Sequence, residues 1–178
     1  MMKWLKQILI ALLAILGIMA VIGLLLPSSV HVERSIDVAA PTEKVFPLLN
    51  DLREFNRWSP WARIDPDAVH EFSDPSAGND AWMTWTSDNP SVGSGKMRIT
   101  ESLANEKVSM ELDFGPQGTA NASLGIESRE SASRVTWSFD EDLGFNPVAR
   151  YFGLMLDGLI GPEFDKGLAN LKELAETP

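Results

Sequence analysis

A chain of 178 residues with 15 Lys and Arg against 25 Asp and Glu has room for one domain and one extra segment. Its formal net charge of −10 argues against nucleic acid as a partner and against adsorption to anionic lipid. The complete absence of cysteine excludes a disulfide framework, a lipoprotein anchor and a thiol nucleophile.

The extra segment comes first. Ile8 to Leu26 is a run of 19 residues without a charge. As a helix it spans roughly 28 Å, close to the hydrocarbon thickness of a bilayer. Lys3 and Lys6 precede it and Pro27-Ser28-Ser29 ends it. A cleaved secretory signal is the competing reading, but its apolar core is usually about 7 to 15 residues and ends in a small-x-small site. The run therefore reads as a membrane anchor over residues 1–27, with a single domain over 28–178. The lysines and the terminal amine lie on its N side, which favours a cytoplasmic N-terminus and a domain facing the periplasm or cell exterior. Beyond the run, 13 Lys and Arg stand against 25 Asp and Glu, a formal charge of −12.

The domain opens with alternation. Val30, Val32, Ile36 and Val38 share one side of a half-buried strand, and Arg34 interrupts that side as edge strands sometimes do. Pro41 then starts a helical stretch in which Val45, Leu48, Leu49, Leu52 and Phe55 recur at spacings of three and four. Pro47 argues for a bend, giving two short helices over 42–49 and 51–57 that end at Trp58-Ser59-Pro60. From there to residue 140 the period is two. Strands are expected at 70–73, 81–87, 96–103, 107–114, 119–127 and 133–140, separated by turns such as "DPSAGND" and "GPQG". Such alternation means an antiparallel sheet with one wet face. Asn146-Pro147 caps a final helix, on which Val148, Phe152, Met155 and Leu159 form one apolar stripe. After Gly161-Pro162 the stripe moves to Ile160, Phe164, Leu168, Leu171 and Ala175, so a kink at the proline and two halves covering different parts of the sheet are expected.

The polar residues offer no catalytic constellation. His31 and His70 sit at wet strand positions with no partner at ligand spacing, so no metal or triad is read there. "GSG" at 93–95 lacks the strand-turn-helix context of a phosphate loop. The acids of "DEDLG" at 140–144 read as a solvated loop before the helix. No cofactor is implied. What remains is apolar and adaptable: Met83, Trp85, Met97, Met110, Leu112, Phe114, Trp137 and Phe139 on the sheet, facing Phe152, Met155 and Leu159, with Trp58 and Trp61 at one end. A solid core accounts for such a set on composition alone. The high share of methionine and tryptophan favours a site that repacks around a guest.

The element order is one strand, two short helices, six strands and a long helix. With "VERSIDVAAPTEKVFPLLNDLREFNRWSPWA", "GSGKMRITES", "RVTWSF" and "MLDGLIGPEFDKGLANLKEL", it resembles the START-like (SRPBCC) superfamily in its polyketide cyclase/dehydrase and lipid-transport branch. The resemblance covers residues 30–175 and implies an α+β helix-grip fold, a seven-stranded antiparallel sheet around the C-terminal helix. It also implies a tunnel holding a hydrophobic small molecule or lipid, which Trp58 and Trp61 would either wall or plug. Tyr151, Thr84 and Glu101 are the polar candidates for positioning a substrate, none with a catalytic role assigned. The reading is a non-enzymatic, membrane-anchored binding module. A cyclase-like enzyme on a hydrophobic substrate is the alternative, and a protein-interaction module related to chaperone-assisting members is a third. Oligomeric state is not legible.

Overall fold

A computed structural model describes residues 2–177, with side chains from Lys3 onward; Met1 and Pro178 lie outside it. Its elements run α1 Met2–Leu25, β1 Ser29–Val38, α2 Thr42–Asn50, α3 Leu52–Trp58, α4 Pro60–Ile64, β2 Val69–Phe72 and β3 Trp82–Thr86. They continue with β4 Ser94–Leu103, β5 Lys107–Asp113, a short 3-10 turn at Gly115–Gln117, β6 Thr119–Arg129, β7 Ala132–Asp142 and α5 Pro147–Glu176. The seven strands form one antiparallel sheet in the order β1-β7-β6-β5-β4-β3-β2. β1 is thus an edge strand, which accounts for Arg34 on its apolar side: Nη1 donates to Asp157 Oδ1 on α5 at 2.9 Å. That hydrogen bond holds the Asp157 carboxyl below its ordinary range.

α1 is long and apolar enough to cross a membrane, and nearly all of it is exposed. The helical stretch after β1 contains three helices where the periodicity predicts two. Asp51 breaks α2 from α3 and caps α3 by accepting from the Arg53 amide at 2.9 Å. Ser59-Pro60 ends α3 and also starts α4, with Pro60 in the first turn, where its missing N–H costs nothing. A five-residue helix is too short to carry a readable period.

α5 is capped as expected, Asn146 Oδ1 accepting from the Val148 and Ala149 amides at 3.0 and 3.3 Å. It runs as one helix through Pro162. Its second half buries Phe164, Leu168, Leu171 and Ala175 against the sheet and α2–α4, as the pattern predicts. The first half departs from the pattern. Val148, Phe152, Met155 and Leu159 are 74, 55, 59 and 48 % exposed instead of facing the sheet. The buried positions there are Arg150, Leu156 and Gly161. Gly153 and Gly161 allow the close approach, since a Cβ would meet Leu143 Cδ1 at 2.5 Å in one case and the Arg34 guanidinium at 2.1 Å in the other. A helix that docks through glycines and an arginine hides its contact face from a hydrophobicity scan.

Candidate functional site

Trp137 on β7 occupies the centre of the space between sheet and helix. It stacks on Phe164 with centroids 4.2 Å apart and rings 4° from parallel. Phe55, Trp58 and Trp61 meet it edge-on at 5.7, 5.3 and 5.8 Å. Such pairs contribute roughly 0.5–1.5 kcal/mol each beyond area burial. Trp58 is 1 % exposed, and its Nε1 donates to the Leu48 carbonyl at 2.8 Å. Asn170 on α5 donates to the Trp58 carbonyl at 3.0 Å. Beneath the second half of α5 the interior is therefore filled, with Trp58 as a plug and Trp61 as a half-buried bridge between Trp137 and Phe164.

The other end of the inner face is open. α5 packs on the sheet over β1 and β7. α2 and α3 supply Leu49, Leu52 and Phe55 to the shared core, so Met83, Met97 and Met110 are buried. Farther along the strands, Trp85, Leu112 and Phe114 remain half-buried. Trp85 sits against Gly95, where a Cβ would come within 2.5 Å of the indole, and meets Phe114 edge-on at 6.0 Å. Register sets Phe72, Met83, Met97, Leu112 and Ala120 in one row across β2 to β6. The half-buried Trp85, Leu112 and Phe114, with Phe72 beside them, form an apolar ledge on the inner face, over a floor of buried Met83, Met97 and Ala120.

One carboxyl stands at that end of the sheet. Glu141 opposes Val30 and shares the side of β7 that carries Trp137 and Phe139. It is half-buried, and no hydrogen bond or ion pair engages it among the described residues. Burial pushes its pKa above the ordinary glutamate value. Reading "DEDLG" as wholly solvated misses it. Alternation from Trp137 through Phe139 is the signal that finds it.

The remaining candidates lie elsewhere. Thr84 is on the face opposite Met83 and Trp85, and Glu101 is exposed with Lys107 at 3.5 Å. Tyr151 turns away from the sheet, its hydroxyl donating to the Met19 carbonyl of α1 at 2.9 Å. Beside it, Arg150 is almost wholly buried. Its Nε donates to the Gly144 carbonyl at 2.8 Å, and Nη1 donates to the carbonyls of Leu24 and Leu26 at 2.6 and 3.1 Å. This clamp fixes α1 to the start of α5. His31 is a surface residue whose pKa is raised by its hydrogen bond to Asp140 at 2.7 Å. Among the described residues, no group of three His, Asp or Glu side chains is placed to hold a metal ion.

Residues 29–176 match the family described as polyketide cyclase/dehydrase and lipid transport. No curated protein matches the chain. Among solved structures, the ZhuI aromatase/cyclase of a Streptomyces species superposes with a TM-score of 0.59 at 17 % identity, covering 83 % of this chain and 94 % of that one. A Mycobacterium smegmatis protein gives 0.57 at 14 % identity, with coverages of 82 and 90 %. Ara h 8.0201 gives 0.54 at 9 %, with coverages of 83 and 97 %. At these identities the likeness is one of fold.

Proposed function

The chain belongs to the polyketide cyclase/dehydrase and lipid transport family, and from that premise we propose that it is a membrane-anchored module binding a lipid or other hydrophobic small molecule on the inner face of its sheet. The observation that carries the reading is the ledge of Trp85, Leu112 and Phe114, half-buried where α5 leaves β3 to β5 uncovered. Met97 and Met110 lie just inside it and supply side chains that repack readily around a guest. Residues 1–27 act as the anchor and 28–178 as the binding domain, with the N-terminus cytoplasmic. A tethered carrier meets its membrane's lipids at high effective concentration. Native mass spectrometry of the full-length protein released from detergent tests this: a stoichiometric apolar adduct, lost on denaturation, supports it, and a clean apo mass after incubation with extracted lipid counts against it.

Glu141 favours a second reading, an enzyme on a hydrophobic substrate. A carboxyl with a raised pKa beside an apolar surface is suited to hold and return a proton. Turnover of an aromatic polyketide-type substrate that disappears in Glu141→Gln, with binding retained, would move the assignment to this reading.

A further inference from the structure

α5 carries a single outward stripe along its length. Val148, Phe152, Met155, Leu159, Glu163, Lys166 and Asn170 fall within about 80° of helical phase. Beyond Pro162 the stripe is polar and lines a cleft of about 340 Å³ with Pro60, Arg63 and Ile64 of α4. Before Pro162 it is apolar and exposed, and Phe145, just ahead of the helix, is 89 % exposed as well.

The two charges between Leu143 and Pro162 are both directed away from this surface. Arg150 is buried on three backbone carbonyls. Asp157 pairs with Arg34 and lies about 140° around the helix from Phe152. The segment also sits against α1. Pro147 and Tyr151 pack on Gly23, and Tyr151 bonds the carbonyl of Met19. Met19 is seven residues before the end of the apolar run, roughly 10 Å along the helix. Interfacial helices bury their apolar face by about 5–10 Å, and tyrosine favours that boundary.

We propose that the first half of α5, together with Phe145, is a membrane-embedded surface whose exposed apolar side chains lie in the boundary layer of the bilayer crossed by α1. The inference rests on α1 spanning a membrane. It goes beyond anchoring, because it seats the domain itself on the bilayer and sets its limit near Gly161, where charge returns to the stripe. The contact is apolar, so added salt leaves it unchanged, in keeping with the acidity of the domain.

Because the chain has no cysteine, single nitroxide labels can be placed without background. Leu12→Cys, Phe152→Cys, Met155→Cys and Lys166→Cys in the full-length protein, reconstituted into phosphatidylcholine vesicles, give four sites to compare. Accessibility to oxygen and to a water-soluble nickel chelate is read at each. The expected result is Leu12, Phe152 and Met155 several-fold richer in oxygen relative to nickel than Lys166. If Leu12 is lipid-exposed while 152 and 155 match 166, the anchor stands and the inference falls. If Leu12 is also water-exposed, the anchor reading fails and takes the inference with it. Shielding of 152 and 155 from both reagents would mean a protein partner such as a second copy, which also overturns the proposal.

Discussion

In the second half of α5, Phe164, Leu168, Leu171 and Ala175 are buried against Trp137, Trp58 and the sheet. In the first half, residues just as apolar, Val148, Phe152, Met155 and Leu159, stand in the open. The second half docks through large side chains and closes the interior. The first docks through Gly153, Gly161, Leu156 and Arg150 against Leu143, the β1 edge and α1. That placement keeps it over β1 and β7, and the ledge on β3 to β5 stays open. One helix thus holds the fold together at one end and leaves apolar surface available at the other.

The sharpest test of this contrast is truncation on each side. Phe164→Ala or Trp58→Ala should cost about 3–5 kcal/mol in urea unfolding followed by tryptophan fluorescence in detergent. Comparable loss from Phe152→Ala would mean that the first half of α5 is packed like the second. Arg150→Ala strands the carbonyls of Leu24, Leu26 and Gly144 and should cost about 2–3 kcal/mol. It should also raise amide exchange across residues 19–26. Gly167→Ala places a Cβ 2.8 Å from the Trp137 ring and 3.0 Å from the Pro60 ring, neither free to move, and should cost about 1–2 kcal/mol. Phe152→Ser should change stability in detergent by no more than about 0.5 kcal/mol.

The smallest effect is that of pH. Glu141 has a raised pKa when folded, so the folded state binds the proton more tightly than the unfolded state. Its contribution therefore disfavours folding progressively as pH rises from the ordinary carboxylate range through the folded value. Glu141→Gln should flatten that limb of the pH–stability curve and leave the protein no less stable at neutral pH. His31 has the same slope from a different cause, since its raised pKa comes from a partner and not from burial. Its hydrogen bond to Asp140 stabilises the fold at acidic pH, and the contribution fades as pH rises through the raised pKa.

Much of the sheet was readable because alternation is a strong signal when one face is buried. Val108, Met110 and Leu112 fall where period two puts them, and Val135, Trp137 and Phe139 likewise. The capped start of α5 and the α1 run were readable for similarly local reasons. The face of α5's first half was not. Helical periodicity locates an apolar stripe but not what the stripe faces, and here the docking side is made of glycine, one leucine and an inward-turned arginine. Glu141 was hidden by its neighbours Asp140 and Asp142, which are exposed and make the triplet look uniformly solvated. The filled centre under Trp58 depends on ring geometry that no spacing encodes.

Photolabelling shows whether an apolar ligand occupies the ledge. Full-length protein in phosphatidylcholine vesicles containing a diazirine-bearing fatty acid would be irradiated, digested and mapped by mass spectrometry. Binding at the ledge predicts adducts on β3 around Trp85 and on β5 around Leu112 and Phe114, suppressed by excess unlabelled fatty acid. Adducts confined to α1 and the first half of α5, with β3 and β5 unmodified, would contradict it.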